Sequence, residues 1–274
     1  MIDHERLYDL LMTIIEEVDE DEYPESFDII DGSMIPEGGI VLEEPYEIAG
    51  MLMGADRTME MPPQIADLMA EVLIAEINDG NYGAATDLGS LYYTGRIGVQ
   101  DYAQAMRYYQ IAADQGEPVA QENLGYCYYY GRNGEKDYER AYYYFSLGAF
   151  AGLPGSLYKI GDMFRYGYYV DSNPREAFNI YTRCLNELDD DSIRQVGADI
   201  MLRMADCLFE GIGTEPDAAQ ALFFYQRAEQ MFFDRIRNGD FMVKKNYQKA
   251  IERQKEARER AQQNMPDYDW TRYE

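Results

Sequence analysis

Residue types that commonly build catalytic or metal sites are scarce in this chain of 274 residues. It has one histidine, His4, and three widely spaced cysteines, Cys127, Cys184 and Cys207. Because the histidine lies at position 4, the later part of the chain cannot contain a catalytic pair of a nucleophile and a histidine. Because the cysteines are far apart, the sequence shows no cluster of Cys and His that would form a zinc site. The odd number of cysteines argues against a disulfide framework and favours a reducing compartment. We therefore expect no catalytic residue, no metal and no cofactor.

Basic residues are also few, with 24 Lys plus Arg against 51 Asp plus Glu and a net charge of −27. Phosphate backbones and anionic lipids repel so acidic a protein. We therefore expect protein or peptide partners with basic segments, no nucleic acid and no membrane. Residues 1–60 contain 18 acidic and two basic residues, a net charge of −16. Such asymmetry is typical of a separate module, which we place at residues 1–63.

Long apolar runs and targeting signals are absent from the sequence as well. No run approaches the roughly 18 to 20 apolar residues of a membrane-spanning helix, and the first residues lack the basic start of a secretion signal. The acidic runs at 19–22 and 189–191 lack the ligand order of an EF-hand loop. These observations predict a cytoplasmic protein, which we expect to be bacterial.

The middle of the chain is a sequence repeat with a period of 36 residues. The pattern Ala-x-x-x-Leu-Gly-x-Leu-Tyr-x-x-Gly begins at Ala84 and returns, with substitutions, at Ala120, Ser156 and Ile200. In each copy a second pattern follows, with an Asp or Asn, an alanine and a pair of large apolar residues. Apolar residues spaced by three and four predict two amphipathic helices in each copy. The sequence therefore predicts an all-α fold of about four helical hairpins.

Three columns of the repeat have a direct structural meaning. The column predicted to end the first helix in the left-handed conformation is Gly95, Gly131, Gly167 and Gly211. The column predicted to cap the start of the second helix is Asp101, Asp137, Asn173 and Asp217. The column predicted to lie at close helix crossings is Gly89, Gly125 and Gly161.

On these columns the chain resembles the Sel-one-like repeat family, a relative of the tetratricopeptide repeats. The resemblance covers residues 84 to about 228. It implies a right-handed α-solenoid of antiparallel helix pairs that serves as an adaptor for other proteins. Some secreted members carry paired cysteines in each repeat, and this chain lacks those pairs.

Outside the four copies the sequence predicts further elements. The stretch 64–78 fits the second helix of a degenerate leading repeat, so the repeat region is placed at residues 64–240. Residues 241–264 are typical of one long polar helix, which would cap the open end of the repeats within a terminal segment 241–274. The Lys and Arg residues of this helix fit either a solvent-exposed helix or a helix that docks against the acidic N-terminal module.

The N-terminal module itself matches no repeat. We predict a helix at 6–18 and two short strands at 27–30 and 39–42.

The candidate binding surface follows from the helical period of the first helices. If the apolar residues of the first helices face the core, the residues on the opposite side of these helices should face outward and line a concave groove. Tyrosine, of which the chain has 26, gives amphipathic contact area at interfaces. The predicted partner-binding residues are Tyr93, Glu122, Tyr126, Tyr129, Tyr130, Tyr158, Asp162, Arg165 and Tyr166.

These features favour a protein–protein interaction scaffold that is not an enzyme and binds a peptide or protein segment in the groove. Two alternatives stay open. The acidic N-terminal region could mimic nucleic acid and occupy the basic site of a nucleic-acid-binding protein. An enzyme site could also lie within residues 1–60.

Overall fold

The computed structural model describes residues 27–30, 33–36 and 63–265. Contacts divide the chain into two compact units, with the division between Ala120 and Gln121. Most of the described residues from Pro63 onward are helical, as the repeat predicts.

The first unit contains three successive helices, α1 (Pro63–Asn78), α2 (Tyr82–Thr94) and α3 (Tyr102–Asp114). Helix α2 packs against both of its neighbours. Its core is a cluster of buried apolar side chains from α1 and α2, namely Met69, Val72, Leu73, Ala84, Leu88 and Leu91. The helix predicted at 64–78 is thus confirmed, whereas its assignment to a leading repeat stays a prediction.

Helix α4 (Pro118–Tyr130) spans the division between the units, and the second unit continues as helical hairpins. Its helices are α5 (Tyr138–Phe150), α6 (Pro154–Tyr166), α7 (Pro174–Glu187), α8 (Ala198–Glu210), α9 (Ala218–Arg237) and α10 (Lys244–Asn264). Each helix from α5 to α10 packs against the next one along the chain. Within residues 63–265 the predicted all-α class of helical-hairpin repeats is confirmed in each unit.

The predicted helix ends are confirmed in detail. Gly95 and Gly211 follow α2 and α8 with φ angles of 77° and 73°, a conformation in which a Cβ would be strained. The second helices begin at Asp or Asn side chains that accept backbone N–H groups two or three residues later. These caps are Asp101, Asp137, Asn173 and Asp217.

The glycines inside the first helices lie against aromatic rings of the second helices. A Cβ added at Gly125 would lie 2.6 Å from Cδ1 of Phe145, and one at Gly161 would lie 2.6 Å from Cε1 of Tyr181. Gly89 meets Tyr109 in the same way, at 2.7 Å. Only a residue without a side chain lets the ring approach this closely, so the prediction of close crossings is confirmed.

The eight extra residues between the third and fourth copies form an irregular helical segment. A single turn, Asp190–Ser192, leads into a π-helical stretch, Ile193–Gly197, and then directly into α8. The Asp189 side chain caps this segment by accepting the N–H of Ser192. The insertion therefore lengthens the start of α8, in a geometry that absorbs extra residues within a helix.

The C-terminal helix α10 packs along α9 after one 3₁₀ turn, Phe241–Val243. Its buried side chains are the small residues Ala250, Ala257 and Ala261, and its other positions are mostly polar. A helix of this kind covers the end of a repeat array without exposing a new apolar face.

A two-stranded antiparallel hairpin lies in the N-terminal region, with β1 at Phe27–Ile30 and β2 at Ser33–Pro36. Phe27 pairs with Pro36 and Ile30 with Ser33. The first predicted strand is confirmed, and its partner begins three residues after it ends. The sequence signal was the Asp31-Gly32 dipeptide, which is typical of two-residue hairpins. The predicted helix 6–18 and strand 39–42 lie outside the described residues.

Candidate functional site

The predicted binding residues belong to both units of the chain. Tyr93 lies in the first unit, where its ring packs against Tyr102 with centroids 5.1 Å apart. The other eight lie in the second unit. Of these, Tyr130 and Tyr166 are accessible, with 44% and 51% of their surface exposed. Tyr126 is half-buried.

The prediction that the remaining residues face outward is wrong. Tyr129, Tyr158 and Asp162 are buried, the Arg165 side chain is 8% exposed, and Glu122 is partly buried. The cause is that the first helices of successive repeats contact one another across this face in the second unit. Their polar side chains pair between helices, and a helical period alone cannot distinguish such residues from solvated ones.

Glu122 on α4 is held by the first turn of α6. Its Oε2 accepts a hydrogen bond from the Ser156 hydroxyl at 2.7 Å, and the Ser156 backbone N–H also bonds to the carboxylate. Burial raises the pKa of Glu122, and these two hydrogen bonds partly oppose that rise. Leu153, at the start of α6, supplies no side-chain cap. Glu122 therefore caps α6 from a neighbouring helix, where unpaired N–H groups favour a carboxylate.

Asp162 on α6 is the centre of a buried ion network. Arg203 of α8 donates Nε to Oδ1 at 2.6 Å and Nη2 to Oδ2 at 2.7 Å, and the Tyr181 hydroxyl donates to Oδ1 at 2.7 Å. Burial by itself would raise the pKa of Asp162. The nearby Arg203 and Lys159 charges and the hydrogen bonds outweigh it and lower the pKa to about 2. Asp162 is therefore an ionised structural residue.

Asp206, one repeat later, has the same arrangement. Its carboxylate accepts the Tyr225 hydroxyl at 2.9 Å and pairs with Lys249 of α10 at 2.6 Å. Arg253 of α10 pairs in turn with Glu210 at 2.8 Å. Part of the basic character of the C-terminal helix therefore serves to neutralise acids of the last repeat. Docking of that helix on residues 1–60 stays a prediction.

Lys159 is enclosed by tyrosine rings, and the sequence analysis missed it. Its Nζ lies 4.5 Å from the ring centroid of Tyr129, 4.9 Å from Tyr130 and 5.3 Å from Tyr158. The ammonium also donates to the Tyr130 hydroxyl at 2.8 Å and pairs with Asp162 at 3.4 Å. Ring faces attract cations, so the lysine fixes the orientation of these rings. The available signal was Lys159 three residues before an acid on the same helix.

An exposed aromatic surface lies where α4 and α6 end and α5 begins. We call it the tyrosine edge, and its exposed members are Tyr130, Tyr166 and Tyr169. Less exposed rings pack against them and against one another in stacked, tilted or edge-to-face contacts, with 4.4–6.0 Å between centroids. These supporting rings are Tyr129, Tyr138, Tyr142 and Tyr168. The edge is therefore a surface of braced aromatic side chains.

Tyr169 is the member of the edge that sequence reasoning missed. It is 57% exposed and has a φ angle of 66°, in the left-handed region that bulky residues rarely adopt. The corresponding residue one repeat later is Gly213, with a φ angle of 73°. The repeat alignment carried only a weak signal, because glycine stands in this column in the last copy alone.

Burial raises the pKa of Tyr166, and it raises the pKa of Cys127, Cys184 and Cys207 to about 12. These thiols are buried and protonated. Within residues 63–265, no group of three or more His, Cys, Asp and Glu side chains is placed to hold a metal ion. Among the helices in that part of the chain, none is long and apolar enough to cross a membrane.

Comparison with protein families identifies the repeat. The Sel1 repeat matches five stretches, residues 83–117, 118–152, 154–183, 198–231 and 235–252, which together span more than half of the chain. The chain belongs to the Sel1 repeat family. The fifth match begins in α9 and includes the first part of α10. Sel1 repeat proteins generally act as scaffolds for protein–protein interaction.

Solved structures of Sel1 repeat proteins share the fold. A Sel1 repeat protein from Oxalobacter formigenes matches with a TM-score of 0.50 and 23% identity, over 64% of this chain and 66% of that one. A protective antigen of uropathogenic Escherichia coli strains with an SLR fold matches with a TM-score of 0.56 and 21% identity, over 81% and 45%. The chain thus spans less than two thirds of either protein. No curated protein matches it.

Proposed function

We propose that this Sel1 repeat protein binds a segment of another protein on the tyrosine edge and acts as a non-enzymatic scaffold. The supporting observation is that Tyr130, Tyr166 and Tyr169 are about half exposed although each ring contacts other side chains. Rigid aromatic side chains lose little conformational entropy when they are covered, and tyrosine is enriched in binding hot spots.

The buried network supports the same proposal. Tyr130 is held by Lys159 from below and by Arg132, whose guanidinium lies 5.2 Å from the ring centroid. Arg165 lies 5.2 Å from the Tyr166 ring and is itself held by Asp206 at 3.5 Å. The edge is thus connected to the ion pairs between the first helices. A surface ordered before binding costs less to immobilise in a complex. We expect the bound segment to carry basic residues, because the chain is strongly acidic.

The experiment is quantitative capture of partners from the native organism, followed by affinity measurement with each partner identified. The test variant is Tyr130→Ala/Tyr166→Ala, and the matched control is Tyr143→Ala/Phe150→Ala. The control removes two aromatic side chains of similar or greater exposure, 59% and 94%, outside the edge. We expect the test variant to lose about tenfold or more in affinity, which corresponds to about 1.4 kcal/mol.

The control should bind as wild type does, and both variants must first show the wild-type circular dichroism spectrum. Equal retention of the partner by the folded test variant would reject the tyrosine edge. The acidic residues 1–60 would then be removed next, to test them as the binding element.

A further inference from the structure

The backbone at Tyr169 is unfavourable for the residue that occupies it. Glycine adopts a φ angle of 66° freely, and glycine stands at the corresponding position of the next repeat. An aromatic residue there is an outlier, and such outliers cluster at ligand sites. Tyr169 therefore occupies a position where glycine would relieve the backbone.

The surroundings of Tyr169 indicate which group it would contact. Its ring is tilted by 47° against Tyr142, with centroids 5.6 Å apart, and its hydroxyl donates to Oε1 of Glu139 at 3.4 Å. Both Tyr169 and Glu139 are exposed. An aromatic face beside a carboxylate is suited to a guanidinium, which stacks on rings and pairs with carboxylates.

The other exposed rings of the edge already have cations from this chain. Lys159 and Arg132 lie against Tyr130, and Arg165 lies against Tyr166. Among the cation–π contacts formed within residues 63–265, none is to Tyr169. Its ring is the exposed member of the edge that a cation from outside could cover.

We propose that Tyr169 and Glu139 receive an arginine side chain of the bound protein segment. The guanidinium stacks on the Tyr169 ring and forms an ion pair with the Glu139 carboxylate. This inference rests on the proposed function and specifies the chemistry of its partner.

The test uses two synthetic probes and the full chain. One probe is an acetylated and amidated tri-arginine peptide, and the other replaces each arginine with citrulline, which has nearly the same shape but no charge. Binding is followed by the backbone amide NMR signals of residues 167–171. These signals report the loop itself, so binding of the cationic peptide elsewhere on this acidic chain is recorded separately. We expect the arginine peptide to bind at the loop about fivefold more tightly than the citrulline peptide.

Three variants complete the experiment. Tyr169→Ala and Glu139→Gln should each weaken arginine binding at the loop by about fivefold, whereas Tyr143→Ala, which removes a ring of similar exposure, should leave it unchanged. Equal affinity for the two peptides would overturn the inference, as would wild-type affinity in both Tyr169→Ala and Glu139→Gln.

Failure of this inference can be told apart from failure of the proposed function. If a native partner is lost with Tyr130→Ala/Tyr166→Ala but the arginine peptide does not bind at the loop, the edge is a binding surface without an arginine site. If neither occurs, both proposals are wrong.

Discussion

The Glu122 carboxylate accepts hydrogen bonds from both the hydroxyl and the backbone N–H of Ser156, at the start of the next first helix. One carboxylate thereby joins two helices that are 34 residues apart in sequence. It also supplies the N-terminal cap that Leu153 does not provide. This contact explains why a charged residue on the predicted open face is partly buried.

Removing this cap should destabilise the fold. We expect Glu122→Ala to lower the free energy of unfolding by about 1 kcal/mol, as loss of a helix cap usually does. Glu122→Gln retains an acceptor for the N–H group and should cost less. The control is Glu135→Ala at an exposed position, where a change within about 0.5 kcal/mol is expected. Urea denaturation measures all three, and equal losses for Glu122→Ala and Glu135→Ala would contradict the cap.

Glu122 should also make stability depend on pH. Because burial raises its pKa in the folded protein, its contribution is fully present below the usual glutamate pKa of about 4.3 and is lost as pH rises through the raised value. Glu122→Gln does not titrate, so its stability relative to wild type should increase over that range. Urea denaturation of both proteins at a series of pH values tests this, and a constant difference would refute it.

Gly125 should tolerate no larger side chain, because its position lies against the Phe145 ring at a distance too short for a Cβ. We expect Gly125→Leu to destabilise by about 1 to 3 kcal/mol through overpacking. Tyr143→Leu, at an exposed helical position, should change stability by less than about 0.5 kcal/mol. Thermal and chemical denaturation distinguish the two. Similar values would mean that the helices can separate at this crossing.

The Asp162–Arg203 pair should be costly to break from one side. Asp162→Asn leaves the Arg203 guanidinium, 17% exposed, with only the longer ion pair to Asp199 at 3.7 Å. Loss of one partner of a buried pair costs about 3 to 5 kcal/mol. The exposed pair Arg183–Glu187 is the control, and Glu187→Gln should cost less than about 1 kcal/mol. A small effect of Asp162→Asn on the urea midpoint would show that the network is solvated.

The lowered pKa of Asp162 predicts acid sensitivity. Its stabilising contribution is present above the usual aspartate pKa of about 3.9 and is lost as pH falls through the folded value of about 2. Wild type should therefore lose stability more steeply than Asp162→Asn between these values. Parallel pH profiles of the two proteins in urea denaturation would disprove the assignment.

Strain at Tyr169 can be measured without any partner. Tyr169→Gly and Tyr169→Ala both remove the ring, but only glycine relieves the left-handed backbone. We expect the Gly variant to be more stable than the Ala variant by about 1 kcal/mol. Chemical denaturation of the two proteins decides it, and an Ala variant as stable as the Gly variant would show that the φ angle carries no strain.

Much of the fold could be predicted because its determinants are local. The caps at Asp101 and Asp217 accept N–H groups only two or three residues away, and the glycines that end helices act on their own backbone. The strand predicted at 39–42 lies outside the described residues, and the observed partner of β1, Ser33–Pro36, was not predicted. In that region a turn dipeptide, rather than apolar alternation, carried the information.

The repeat period, the helix ends, the close crossings at Gly89, Gly125 and Gly161, and the family were determined by the sequence alone, because each depends on spacing within about 36 residues. The tertiary structure decided which polar residues are exposed. Asp162 is paired with a residue 41 positions away, and Glu122 with one 34 positions away, so their burial depends on how neighbouring first helices pack. The tertiary structure likewise decided which tyrosines are exposed. Tyr129 and Tyr130 are adjacent in sequence, but the first is covered by Lys159 and other rings while the second reaches solvent.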